Sequence, residues 1–303
     1  MEREDVIPRC LDCGESPLRL VYHLIDKGGA RIVECEACNL VQLETLPTAQ
    51  ELDALYSEGY FEGVGRDGGY EEYANQEKEY LATFDEDVRR IRTFIAQGSV
   101  LDIGCGYGYF VRRALAAGFD AYGVDLSSDG IREAEKHVPG RVFRGTIDTT
   151  EELAGREFDV IFASHLIEHI TEPRPFIEEL LKHLSDRGIV VFVTPNIESW
   201  LARISGPRWV SFKVPEHVAY YTPKTLGRLL ETAGLEVVAV DSAYQYYRLP
   251  FLMSKIRDVI DPVGRILPGF EHWPAMRERM LRVTSGSLRM IARRSASTAS
   301  GPA

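Results

Sequence analysis

The run Ser99-Val-Leu-Asp-Ile-Gly-Cys-Gly-Tyr-Gly-Tyr-Phe110 constrains this chain more than any other. Val100 to Ile103 is a short, largely apolar stretch that suits a buried strand. Three glycines follow at Gly104, Gly106 and Gly108. A helical pattern then runs from Phe110 to Ala117 and ends at Gly118. A second strand, Ala121 to Val124, delivers Asp125. Strand, glycine turn, helix and strand in this spacing form the first βαβ unit of a nucleotide-binding parallel sheet. The dinucleotide fingerprint needs a glycine at position 109, and position 109 is Tyr. The glycines therefore permit close backbone approach to a ligand without a pyrophosphate.

The string Asp102-x-Gly104-x-Gly106-x-Gly108, with Asp125 at the next strand end, resembles the first motif of class I S-adenosylmethionine-dependent methyltransferases. The resemblance implies an α/β, Rossmann-like sheet of seven strands in the order 3-2-1-4-5-7-6. Apolar runs at Val142 to Gly145, Phe158 to Ala163, Gly188 to Asn196, Leu235 to Val240 and Ser287 to Arg293 supply the other strands, the last one reversed. It also implies roles in holding S-adenosylmethionine. Asp102 would hold the amino-acid end, and Gly104, Gly106 and Gly108 would line the methionine and ribose. Asp125 would accept from the ribose hydroxyls, with Leu126 beside it and Ser164 closing the fourth strand. Asp148 has two readings, a contact to the adenine amine or a cap on a helix from Thr149 to Leu153. Cys105 reads as a small residue that tolerates the turn.

Four of the five cysteines form two pairs, Cys10-x-x-Cys13 and Cys35-x-x-Cys38, with 21 residues between them. Each pair can aim two sulfurs at one metal, and two pairs complete a tetrahedron. The strands Leu18 to Leu24 and Ala30 to Glu34, around Lys27-Gly28-Gly29, complete a zinc-ribbon layout. A closed four-thiolate site is structural. Disulfides are disfavoured in the reducing, cytoplasmic setting expected of a chain that starts Met-Glu-Arg-Glu-Asp and contains no membrane-span-length apolar stretch.

Ligands of such sheets bind beyond the carboxyl ends of the strands. The chemistry-bearing residues there are Ser164, His165, Glu168 and His169 after the fourth strand, Pro195 and Asn196 after the fifth, and Val214-Pro-Glu-His-Val-Ala-Tyr-Tyr-Thr222. An alcohol acceptor must lose its proton, and histidine has a suitable pKa. His169 and His217 are the leading bases, His165 is third, and Glu168 orients a histidine or binds a sugar hydroxyl. Any one of these histidines could instead serve a loop backbone. A magnesium shell from Glu168, His169 and a distant carboxylate is a further use, disfavoured because magnesium prefers oxygen-rich shells.

Expected boundaries are a ribbon over 1–46, connecting helices and an aromatic lid segment over 47–98, and a methyltransferase domain over 99–294. That domain carries cap insertions at 197–221 and 244–284, and a disordered tail follows over 295–303. In the connecting segment a short amphipathic helix follows Pro47, and Tyr60, Phe61, Tyr70 and Tyr73 could lid the site or simply pack. Ribbon, Leu-Tyr-x-x-x-Tyr-Phe segment and methyltransferase sheet together resemble a family of bacterial polysaccharide, nucleotide-sugar and natural-product pathways. The resemblance implies O-methylation of a small acceptor, a nucleotide-linked or polysaccharide-precursor sugar or a secondary metabolite. Deoxysugar C-methylation is its rival. RNA base methylation is a second class, opposed by a net charge of −11. A non-catalytic scaffold is a third. A homo-oligomer is compatible with the sequence.

Overall fold

The computed structural model describes residues 9–15, 17–48, 50–51, 76–249 and 279–296. The helix expected after Pro47, the aromatics Tyr60, Phe61, Tyr70 and Tyr73, most of the second insertion and the tail beyond residue 296 lie outside them.

The chain begins with three short strands, β1 (Leu18–Leu24), β2 (Ala30–Cys35) and β3 (Val41–Leu43). Helix α1 (Glu77–Ile91) precedes the βαβ unit, which consists of β4 (Ser99–Ile103), α2 (Tyr109–Ala116) and β5 (Asp120–Asp125). Then come α3 (Ser128–Glu135), β6 (Val142–Arg144), β7 (Phe158–Ser164), α4 (Pro173–Lys182) and β8 (Leu184–Pro195). The chain continues through α5 (Trp200–Ser205), β9 (Ala219–Tyr220), α6 (Pro223–Thr232), β10 (Leu235–Arg248) and β11 (Met280–Arg294).

The large sheet has the order β10-β11-β8-β7-β4-β5-β6. Counted from β4 as strand one, that is 3-2-1-4-5-7-6. The five strands β4 to β8 of this sheet run parallel, and β11 lies antiparallel between β8 and β10. Successive residues of β8 feed opposite faces, as the strand period requires. Val190 and Phe192 join the core under α4 and α6, whereas Val191 and Val193 join the core under α1 and α2. Both faces are covered, which is why the strands read as unbroken apolar runs. Phe110 on α2 stacks on Phe162 of β7 with ring centroids 3.8 Å apart.

The small sheet has the order β1-β2-β3-β9, all antiparallel. Its fourth strand comes from inside the insertion expected at 197–221. That segment is therefore shared between a short helix, α5, and the edge of the ribbon. The sulfurs' own segment packs onto the large sheet, since Cys10, Cys35, Cys38 and Leu40 share one core with Leu226, Leu229 and Leu230 of α6.

Two local expectations are corrected. The helix expected from Thr149 to Leu153 is a single 3-10 turn, Glu151–Leu153, whose N-cap is Thr150. The insertion expected at 244–284 is shorter at both ends, because the β10–β11 ladder continues from Tyr244↔Thr284 to Arg248↔Met280. Cross-strand partners stabilise that extension; the Arg282 guanidinium lies 3.4 Å from the Tyr244 ring centroid.

Candidate functional site

The turn after β4 is built from three left-handed glycines, with φ of 77° at Gly104, 51° at Gly106 and 71° at Gly108. A side chain would be strained at each. At Gly108 a Cβ would also fall 3.0 Å from the Ala134 Cβ. The open strand end this turn leaves is the cradle expected for a nucleoside. Asp125 terminates β5 and is fixed from two sides: Gly106 N donates to its Oδ2 at 2.8 Å, and Ser127 N donates to its Oδ1 at 2.8 Å. Each oxygen keeps a further lone pair for a ligand hydroxyl. Burial raises its pKa, and the two backbone bonds act against that rise. Asp102 is buried within β4. Burial, followed by the nearby charges of Asp125 and Asp87, holds its carboxyl well above the usual carboxylate range. Leu126 is exposed beside Asp125, and Ser164 closes β7.

Asp148 is exposed and accepts from the Thr146 hydroxyl at 2.5 Å, so it caps no helix. Cys105 is packed against Gly123, where a Cβ would lie 2.8 Å from its sulfur. Burial, with Asp125 and Asp102 nearby, keeps that thiol protonated, which fits the bland reading of this residue.

The acceptor rim joins the loop after β7 to the approach of β9. A Cβ on Gly104 would touch Leu166 Cδ1 at 3.4 Å, so this rim stands directly against the glycine cradle. Glu168 is almost fully buried. Its Oε1 lies 3.2 Å from His165 Nδ1, and its Oε2 accepts from the Thr194 hydroxyl at 2.9 Å. Burial alone would raise its pKa; the His165 hydrogen bond and the three histidines around it prevail and hold it below the ordinary carboxylate range. The histidine that Glu168 meets is thus His165. His165 itself has a φ of 53°, uncommon for a residue with a side chain.

His169 and His217 face each other edge to face, with ring centroids 4.7 Å apart. His217 Nδ1 is 2.8 Å from the Ser211 carbonyl oxygen. Burial lowers both histidine pKa values, that of His217 far below the ordinary one. Ligand-capable atoms of Glu168, His169 and His217 lie within 4.8 Å of one another, close enough to share a cation. The third member is a histidine and not the expected carboxylate, so the set is nitrogen-rich and unlike a magnesium shell.

The four cysteines meet as their spacing requires. Cys10 Sγ is 3.4 Å from Cys38 Sγ, and Cys13 Sγ is 3.6 Å from Cys35 Sγ. Metal–sulfur bonds of about 2.3 Å in a tetrahedron place sulfurs about 3.8 Å apart, so the cluster has the dimensions of a four-thiolate shell. All five cysteines are free of disulfides.

Three features were not anticipated from the sequence. Asp12, between the first two cysteines, is buried against Arg174 and Arg228. Asp87 and Arg289 form a buried pair beneath the site, 2.5 Å apart. The β3–β9 pairing joins the ribbon to the rim. Only the Asp12 position carried a usable signal, an acid inside an otherwise apolar metal knuckle.

A seven-stranded sheet in this order, with a glycine turn after the first strand and a carboxylate closing the second, defines a class I methyltransferase. The chain belongs to the methyltransferase-domain family, whose model matches residues 73–240, more than half of it. The matched residues include the glycine turn, Asp125 and the rim from His165 to His217, so the site described above lies within that methyltransferase domain. It is 29% identical over 153 residues to a ubiquinone biosynthesis O-methyltransferase of Idiomarina loihiensis, covering 47% of this chain and 63% of that relative. It is 31% identical over 173 residues to the protein of the same name from Bartonella bacilliformis, covering 54% and 69%. Among solved structures, a chain of the complex between the Haloferax volcanii Trm112 methyltransferase activator and a methyltransferase shares the fold. Its TM-score is 0.53 at 15% identity, over 81% of this chain and 98% of that one. These relatives correct the acceptor expected from the sequence. Proteins 27% to 31% identical are named for O-methyl transfer in ubiquinone biosynthesis, and the sugar, C-methylation and RNA readings are withdrawn. Among the described residues no helix is long and apolar enough to cross a membrane.

Proposed function

We propose that this chain methylates a ring hydroxyl of a small aromatic acceptor of the quinone-precursor type. The observation that carries the reading is the His169–His217 pair beside an ionised Glu168, on the loop whose Leu166 stands against Gly104 of the glycine turn. The names of the relatives support the acceptor class.

The strand end fits the cofactor: three left-handed glycines keep the turn after β4 free of side chains, and Asp125 offers lone pairs where ribose hydroxyls would sit. When bound, S-adenosylmethionine supplies a sulfonium methyl as the electrophile. Asp102 and the backbone of Gly104, Gly106 and Gly108 would hold its amino-acid end, while Asp125, Leu126, Asp148 and Ser164 would line its nucleoside. His217 uses Nδ1 to donate to Ser211, so in its neutral form Nε2 carries the lone pair. That nitrogen would take the acceptor's hydroxyl proton, leaving the oxygen to accept the methyl that the cofactor would supply. His169 faces it and is the second base. Glu168, through His165 and Thr194, keeps this corner rigid and anionic. In-line positioning is the main contribution, because the leaving sulfur is neutral after departure.

The four cysteines take a structural zinc in the same reading; their separations support it. The ribbon over 1–46 is then a closed module without a catalytic metal.

The test uses methyl-labelled cofactor with catechol and hydroxylated benzoates as acceptors. Label on a phenolic oxygen supports the reading. Absence of transfer to every phenol, in protein that binds S-adenosylhomocysteine, sinks it.

A further inference from the structure

We infer that Asp12 is a positioning residue for the acceptor rim: clamped by Arg174 and Arg228, it fixes the ribbon edge against β9 and thereby sets the place of His217. The inference rests on the placement of His217 at the acceptor site proposed above.

The chain of contacts is continuous. Asp12 sits in the first knuckle with its side chain almost wholly buried. Arg174, at the start of α4, reaches its Oδ1 at 2.7 Å, and its Nε also donates to the Asp12 carbonyl. Arg228 of α6 donates to Oδ2 at 2.9 Å. Two helices of the large domain therefore grip one residue of the ribbon. A buried carboxylate between two guanidiniums is a strong, geometrically defined fastening. Gln42 of β3 ties the same knuckle from the other side: Leu11 N donates to its Oε1 at 2.9 Å, and its Nε2 donates to the Arg9 carbonyl at 2.9 Å.

From β3 the ladder passes straight to the rim. Val41 pairs with Tyr220 and Gln42 with Ala219. Leu43 N donates to the Val218 carbonyl at 2.9 Å, and Val218 N donates to the Glu168 carbonyl at 2.8 Å. Val218 adjoins His217, so the ribbon edge and the Glu168 loop hold the base's backbone between them. Tyr220 adds a bond from its hydroxyl to the His217 carbonyl at 2.9 Å. Tyr221, next to β9, is buried in the same core as Cys10 and Cys38 of the ribbon and Ile167 of the rim.

The chain of contacts ends at the Glu168 loop, whose Leu166 stands beside Gly104, and none of its hydrogen bonds is made to the glycine turn or to Asp125. Loosening the clamp should therefore disturb His217 and leave the nucleoside cradle alone. A residue that only held the fold together would disturb both.

The experiment compares wild type, Asp12→Asn and Arg228→Gln in isotope-labelled, full-length protein saturated with S-adenosylhomocysteine. The spectroscopic reporter is the His217 ring Nδ1–H, which its bond to Ser211 protects from exchange with solvent. We expect this proton to exchange about 10-fold faster or more in the variants, with S-adenosylhomocysteine affinity by calorimetry within about two-fold of wild type. Transfer to a catechol should fall through kcat. This readout needs no acceptor, so it stands apart from the choice of substrate class. Unchanged His217 protection in both variants overturns the inference. So does a parallel loss of cofactor affinity in both, which would make the clamp a support of the whole fold. Arg228→Gln removes one arm only and keeps the test alive should Asp12→Asn fail to fold.

Discussion

The Nδ1 atom of His217 lies 2.8 Å from the carbonyl oxygen of Ser211. The carbonyl only accepts, so the other ring nitrogen is the one left for chemistry. Replacing His217 by Ala should lower kcat for transfer to a hydroxylated aromatic by about 10²- to 10⁴-fold, with S-adenosylhomocysteine affinity about unchanged. Steady-state kinetics and calorimetry on the same preparation check it. A kcat within a few-fold of wild type would remove His217 from the proton-transfer step.

The pH profile follows from the same burial. Burial first, and the neighbouring His169 second, depress the His217 pKa well below 6.5. The imidazole therefore stays neutral below the ordinary histidine range, and the acid limb of kcat/KM should fall below pH 6.5. Stability carries the same sign. The unfolded chain takes up the proton near 6.5 and the folded chain only at lower pH. The contribution is thus complete above 6.5 and is lost as pH drops toward the folded value. Glu168 acts in the same direction: its depressed pKa stabilises above 4.5 and that contribution fades as pH falls below it. Denaturant titrations between pH 4 and pH 8 should show stability declining on the acid side. A flat series would contradict the burial of both groups.

Asp125→Ala should weaken S-adenosylhomocysteine binding by about 10-fold or more, since charged hydrogen bonds contribute about 1.5–3 kcal/mol. The variant also frees Gly106 N and Ser127 N, so the glycine turn itself should loosen. Calorimetry decides it. Unchanged affinity would mean that the ribose is held elsewhere.

Gly108→Ala places a side chain at a φ of 71° and at 3.0 Å from the Ala134 Cβ. The left-handed backbone alone costs about 1–2 kcal/mol, so the denaturation midpoint should fall and α2 should shift against α3. An equally stable variant would show that the turn relaxes without loss.

Metal analysis of protein purified without added metal should find about one zinc per chain, bound by four thiolates. Stripping it with a chelator should unfold the ribbon first, seen as loss of the β1–β2 amide signals. A folded ribbon without metal would overturn the assignment.

The βαβ unit and the sheet were legible because their signals are local. Val100 to Ile103, the three glycines and Asp125 fall within one short window, and each strand of the parallel core is a compact apolar run. The four cysteines were legible for the same reason. The ribbon's fourth strand was not, because Val41–Leu43 and Ala219–Tyr220 are too short for periodicity and find each other only in space. The role of Asp12 was not legible, since its partners Arg174 and Arg228 are far away in sequence. The acceptor was misjudged on different grounds. His165, Glu168, His169 and His217 specify a basic, polarised corner, and that corner suits any acidic hydroxyl. The ring that bears the hydroxyl is chosen by shape, which no motif encodes.

The pairing of β3 with β9 also has a consequence in time. The ribbon edge at Gln42 leaves the ribosome long before its partner Ala219, and 177 residues separate them. At about 5–20 residues per second that interval is about 10–35 s. Throughout it the nascent ribbon carries an open edge of unpaired backbone groups, the kind of template that recruits a neighbouring chain. The edge strand is only three residues long, and that brevity is what lets the ribbon wait safely for the half of the protein that completes it.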